Sequence, residues 1–234
     1  MRISLFLLFS LLFLFCQNKP EENDPVIIPP ETEVIDILAL GDSYTIGQSV
    51  PADKNFPNQL ADSLRSEGLQ VNKPKIIAQT GWRTDNLQSA IAAQSADIGN
   101  RVFSLVTLCI GVNNQYQNAN FETYKVQFEQ LLQTAIARAG GRKDRVVVLS
   151  IPDYAYTPFG QGSATVSQEI DQYNAANQTI SATYGVSYVN ITGISRRGLA
   201  EPNLVASDGL HPSDKQYSEW MRLLLPVVRT ALAE

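Results

Sequence analysis

The sequence predicts an α/β fold: a three-layer α/β/α sandwich built on a five-stranded parallel sheet. Three observations predict it. Apolar runs of strand length alternate with segments of helical period, the pattern of parallel strands joined by helical crossovers. The run Phe103–Ile110 is apolar almost throughout, as a central strand covered on both faces must be. The chain has 234 residues, 44% hydrophobic and 18% charged, enough for one sizeable core of ordinary globular composition.

In order along the chain, the first element is not part of that fold. Arg2 is followed by thirteen almost wholly apolar residues, Ile3–Phe15. This run is too short to span a bilayer as a helix and fits the core of a secretory signal. It ends at Cys16, and a Cys there resembles a bacterial lipoprotein signal, in which the thiol is lipidated and anchors the mature chain. Phe15 departs from that pattern, which wants a small residue. The alternative is an uncleaved anchor in which Cys16 is one more apolar side chain. Residues 17–33, rich in Pro, Glu, Asp and Asn, read as a polar tether. The expected organisation is therefore a signal over 1–16, a tether over 17–33 and one domain over 34–234. The expected location is exported, periplasmic or cell-surface, with membrane attachment through a Cys16 lipid.

Within the domain the alternation begins with a buried strand over Val34–Leu40. Phe56–Ser66 has helical spacing, with Leu60 and Leu64 on one face, and stops at Gly68. Lys75–Ala78 is a short strand. Thr84 is expected to cap a helix that runs to about Ala93. After the central strand, Phe121–Ala139 carries Phe121, Tyr124, Phe128, Leu131, Leu132 and Ala135 along one stripe and ends at Gly140-Gly141. Val146–Ile151 is a strand halted by Pro152, Ser167–Tyr184 a helix, and Ser187–Asn190 a short strand. Pro212 suits the first turn of a last helix, and Pro226 predicts a kink near Met221–Leu225.

The composition excludes several classes. The formal net charge is -5, and the densest basic stretch, Arg142-Lys143-Asp144-Arg145, lies between a helix and a strand, so no nucleic-acid footprint is present. The chain has two cysteines, and Cys109 sits inside an apolar run, so no disulfide framework is expected. One His and no cluster of zinc-ligand spacing argue against zinc catalysis; no metal or organic cofactor is expected.

Ligands of parallel sheets sit beyond the carboxyl ends of the strands, so the loops there hold the candidate chemistry. Gly41-Asp42-Ser43 ends the first strand. It fails as a phosphate loop, because five residues separate Gly41 from Gly47 and no Lys follows. It fails as a nucleophile elbow, because Thr45 stands where a Gly is needed. A Ser hydroxyl needs a base to become a nucleophile. The single imidazole, His211, lies in SDGLHPS, three residues after Asp208, a carboxylate near enough to fix its tautomer. An oxyanion needs fixed N–H donors. Gly81 follows the second strand and can bring its N–H close to a substrate. Asn113 follows the third, where its amide can point across the sheet. Each of these, taken singly, also reads as a turn residue. Asp42 reads as a residue that holds its own turn. Trp82 and Tyr116 read as pocket-lining or loop-packing residues.

Together, GDSY with Ser43, Gly81, GVN with Asn113, and DGLH with Asp208 and His211 resemble the four ordered blocks of the SGNH (GDSL) hydrolase family, over the whole domain from about Val34. The resemblance implies a flavodoxin-like sandwich and ester hydrolysis. It implies Ser43 as nucleophile, the N–H groups of Ser43 and Gly81 with the Asn113 amide as oxyanion donors, His211 as base and then acid, and Asp208 as its orienting carboxylate. The third block departs from the family, with Asn114 where an Asp is usual, which bears on local loop geometry. The expected substrate is an acyl ester, as in small thioesterase or lysophospholipase-like members. An O-acetylated glycan is the alternative, and a non-catalytic glycan- or lipid-binding module is an alternative of another class, disfavoured by retention of every catalytic position.

Overall fold

A computed structural model of the chain describes residues 34–99 and 101–233. The expected signal over 1–16, with Cys16, and the expected tether over 17–33 lie outside the described residues. Five strands, β1 (Ile37–Asp42), β2 (Lys75–Gln79), β3 (Leu105–Cys109), β4 (Val146–Leu149) and β5 (Ser187–Val189), form one sheet. Its order is β2-β1-β3-β4-β5 and every neighbouring pair is parallel, the architecture the alternation predicts.

The longer helices are α2 (Phe56–Ser66), α3 (Thr84–Ala93), α6 (Phe121–Arg138), α7 (Ala164–Tyr184) and α9 (Asp214–Ala233); the short ones are α1 (Ser43–Ile46), α4 (Ser95–Ile98), α5 (Val112–Tyr116) and α8 (Thr192–Ser195). Helix α2 packs on α9, whereas α6 packs on α3 and α7. Right-handed crossovers put these two groups on opposite faces of the sheet. The core between them is Leu38, Leu40, Leu105, Val106, Leu108 and Val146–Val148, all fully buried. Under α2 and α9, Phe56 lies 5.7 Å from the Trp220 ring and Tyr217 4.8 Å from it. Truncating such a ring to Ala costs about 3–5 kcal/mol. Cys109 is buried in β3. Among the described residues no helix is long and apolar enough to cross a membrane.

Element boundaries differ from expectation for local reasons. Strand β1 starts at Ile37, Ile35 making only an isolated bridge to Val71, and it continues through Gly41 to Asp42 because that residue still pairs with Gln79 of β2. Thr84 is the first residue of α3, and Arg83 is the cap. Helix α7 begins at Ala164 because the Ser163 hydroxyl accepts a hydrogen bond from Val166 N. Pro212 precedes α9, whose first turn is capped instead by Ser213, which accepts from Gln216 N at 3.2 Å. Helix α9 runs through Pro226 to Ala233.

The strand order reverses direction between β1 and β3. Crossovers leave this point toward opposite edges of the sheet, opening a crevice beyond the carboxyl ends of these two strands. Ser43 follows one and Asn113 the other.

Candidate active site

Strand β1 runs directly into α1, so Ser43 is the first helical residue and Asp42 its N-cap, accepting from Tyr44 N at 3.0 Å. The glycine before them is required by crowding: a Cβ on Gly41 would stand 2.0 Å from Thr45 Oγ1 and 2.4 Å from the Cys109 carbonyl oxygen. Only a residue without a side chain lets the turn fold against β3. Helix α1 is anchored from α9, where the Tyr217 hydroxyl donates to Tyr44 O at 2.9 Å.

The second component is a tight loop before α9. Val205 and Pro212 form an antiparallel bridge, and Ala206 N donates to His211 O at 2.7 Å. Asp208 sits at its tip and collects four donors. Leu210 N and His211 N donate to Oδ1 at 2.9 and 3.0 Å. His211 Nδ1 and Ser49 Oγ meet Oδ2, each at 2.6 Å. A carboxylate only accepts, so the imidazole donates from Nδ1, and Nε2 is left without a partner among the described residues. The His211 ring packs on Tyr44, 5.6 Å between centroids.

The third component is the pair of loops after β2 and β3. Gly81 has φ +81°, a left-handed conformation with nothing within 4 Å of a would-be Cβ, so the backbone angle and not crowding calls for glycine. Its N–H has no protein acceptor among the described residues. Gln117 Nε2 donates to Gly81 O and Asn113 Nδ2 to Trp82 O, both at 3.0 Å, which pins this loop from the α5 side. One N–H of the Asn113 amide is thereby fixed and the second stays free. Asn114 turns the other way. It is buried, accepts from Thr84 N at 3.1 Å and donates to Thr84 Oγ1 at 2.8 Å, while Thr84 Oγ1 donates onward to Gln127. It thus satisfies a helix N-terminal N–H of α3 that Thr84 does not cap for itself. An amide both accepts and donates here, and an Asp would leave Thr84 with two acceptors for one hydroxyl proton.

Ser43, Gly81, Asn113 and His211 all line one cavity of about 300 Å³. Asp208 stands behind His211 and does not line it. Ser43 and His211 make no direct hydrogen bond, and such contacts commonly tighten only when substrate is bound. The rest of the cavity wall is mainly apolar, with Val112, Leu210, Tyr44 and three further rings, Tyr116, Tyr154 and Phe159, whose centroids stand 6.0–6.2 Å apart pairwise, and it includes the uncharged polar side chains of Thr80 and Gln117. Tyr116 lines the cavity as expected, whereas Trp82 packs against the core instead.

The two aspartates flanking the site are pushed in opposite directions. Burial raises the Asp42 carboxyl to about 7, outweighing the backbone bond from Tyr44; its Oδ2 has no partner. Burial also raises Asp208, but the bonds from Ser49, His211 and Leu210 outweigh it and hold that carboxyl well below the ordinary carboxylate range.

Sequence reasoning missed Ser49 and Gln117, whose partners lie 159 and 36 residues away. It also missed Tyr154 and Phe159. The one available signal was Pro152, which ends β4 and marks another loop on the ligand side of the sheet.

The model of the GDSL-like lipase/acylhydrolase family matches residues 39–218. No curated protein sequence matches. Three solved structures are similar. TesA shares 15% identity with a TM-score of 0.66, over 84% of this chain and 99% of its own. The psychrotrophic esterase EstA from Pseudoalteromonas sp. shares 15% with a TM-score of 0.64, over 85% and 99%. A variant of Axe2, an acetyl xylan esterase from Geobacillus stearothermophilus, shares 16% with a TM-score of 0.64, over 83% and 94%. At these identities the likeness establishes the fold.

Proposed function

The chain belongs to the GDSL-like lipase/acylhydrolase family and is a carboxylic ester hydrolase; from that premise we propose that it is a serine esterase working through Ser43, His211 and Asp208 on small acyl esters. One observation carries this reading: Ser43, Gly81, Asn113 and a His211 oriented by Asp208 converge on a single apolar cavity. Ser43 Oγ attacks the ester carbonyl carbon and its proton passes to His211 Nε2. The N–H groups of Ser43 and Gly81 and the free Asn113 N–H hold the oxyanion. The carbon–oxygen bond to the alcohol breaks as His211 returns the proton to the leaving oxygen. Water then attacks the acyl-Ser43 ester, giving a proton to His211, and the acid leaves as Ser43 regains its own.

The cavity favours the acyl-ester reading over a polar substrate. At about 300 Å³ it is at the small end of ligand pockets, which suits a short acyl group, and its wall holds no Asp, Glu, Lys or Arg. A second reading, O-deacetylation of a glycan, is favoured by one observation: Tyr116 and Phe159 are about half exposed, so their faces can stack on a sugar ring at the rim. Hydrolysis of a short p-nitrophenyl ester, lost in Ser43→Ala, tests the first claim; full activity in that variant overturns it. Acetylated xylo-oligosaccharides compared with longer-chain acyl esters separate the two substrates. For localisation, the Ile3–Phe15 run and Cys16 support an exported, lipid-anchored enzyme. Labelled fatty acid is then expected to be incorporated into the wild type and not into Cys16→Ala, and its absence from the wild type refutes the lipid anchor.

A further inference from the structure

Ser49 occupies the left-handed region, φ +66°, without being a glycine. Residues persist in such conformations where the surroundings over-determine them, and they concentrate at functional sites. The surroundings here are specific. The turn Gly47–Val50 continues directly from the helix that carries Ser43: Gly47 N and Gln48 N both donate to Ser43 O, at 3.1 and 3.0 Å. Gln48 is tied to the second loop of the site, accepting from Thr80 Oγ1 at 2.6 Å. Ser49 then reaches the third, donating its hydroxyl to Asp208 Oδ2 at 2.6 Å, the short distance of a charge-assisted bond. The same oxygen meets His211 Nδ1. Without Ser49, no hydrogen bond among the described residues joins the Ser43–Val50 turn to the Asp208 loop.

We propose that Ser49 is a positioning residue: its hydroxyl fixes the Asp208 carboxylate, and through it the His211 ring, relative to the turn that presents Ser43. Ser43 and His211 come from elements far apart in the chain, and nothing covalent nearby sets the distance between them. Ser49 supplies that tie at the carboxylate. Its bond to Oδ2 adds to the Leu210 and His211 N–H bonds that hold Oδ1. The proposal rests on the Ser43–His211–Asp208 reading above.

Ser49→Gly and Ser49→Ala separate the hydroxyl from the backbone. Both lose the bond to Asp208, but glycine adopts φ +66° without strain, so Ser49→Gly is expected to lose less thermal stability than Ser49→Ala. Both are expected to lower kcat by about 10- to 100-fold, with KM changed by less than about 3-fold, the size of effect a small misplacement of a reacting group produces. In an Asp208→Asn background, Ser49→Gly causes little further loss, because the tie acts through that carboxylate. Wild-type kcat in Ser49→Gly, beside a large loss in Asp208→Asn, overturns the proposal and leaves the triad standing. A fall in stability parallel to the fall in rate, additive with Asp208→Asn, also overturns it. Wild-type kcat in Asp208→Asn overturns the triad reading itself.

Discussion

Two aspartates flank the site, and their loops treat the same functional group in opposite ways. Asp42 is next to Ser43 in sequence, is almost fully buried, has one backbone donor from Tyr44 and leaves one oxygen without a partner. Asp208 is 165 residues from Ser43, is partly exposed and takes four donors. Burial lifts the first carboxyl; donors overcome burial and lower the second. On the reading proposed above, adjacency to Ser43 does not identify the carboxylate that serves His211; the 2.6 Å contact of Asp208 Oδ2 with Nδ1 does, and a carboxylate kept ionised by its donors can orient and stabilise an imidazolium.

The largest expected effect tests the Asp208 side of this contrast. Asp208→Asn should reduce kcat on the order of 10⁴-fold while the chain remains folded, measured by steady-state ester hydrolysis together with circular dichroism. A loss under about tenfold breaks the contrast.

Next comes Asp42, whose effect is on stability and not on rate. Its folded carboxyl titrates near 7, above the unfolded value of 3.8, so the folded state holds a proton that the unfolded state has released. That contribution is complete below about pH 4 and is lost as pH rises to about 7, a change on the order of 4 kcal/mol. Asp208 acts in a separate window, because its lowered carboxyl supports folding above about pH 4 and that support fades on further acidification. Urea unfolding between pH 4 and 8 should show wild-type stability falling with pH, and a flatter profile in Asp42→Asn, with kcat reduced less than about tenfold. Equal slopes in the two proteins contradict the assignment.

The neighbouring amides Asn113 and Asn114 repeat the contrast on a smaller scale. Asn113→Ala removes a donor that faces the cavity and should lower kcat by ~10²–10³-fold with little change in stability. Asn114→Ala strips a buried donor and acceptor from Thr84 and should cost about 1–2 kcal/mol of stability, with kcat changed only a few-fold. Exchanged outcomes would mean that the two side chains have swapped tasks.

The same division explains what the sequence disclosed. Five strands and five long helices were legible because burial imposes periodicity: Val146–Val148, Leu105, Val106 and Leu108 are apolar since helices cover both faces. The residues of the four blocks were legible because each stands at a strand end or beside another reactive group. Strand and helix ends were less so. Thr84 has the composition of a cap, but its hydroxyl is claimed by Gln127 and its N–H by Asn114, partners that local sequence does not reveal. Ser49 and Gln117 were invisible for the same reason, since a serine or glutamine in a loop becomes informative only when the fold brings its acceptor to it. The aromatic wall required knowing that Tyr154 and Phe159 fold back toward Tyr116.

The loop from Val205 to Pro212 has a consequence for how the site is aligned. Acid and imidazole are three residues apart inside one clasped loop, so their mutual alignment is set locally by short-range bonds. The placement of that loop against the Ser43 turn depends instead on the single side-chain bond from Ser49. A change at Ser49 is therefore felt between the two loops and not within the aspartate–histidine pair.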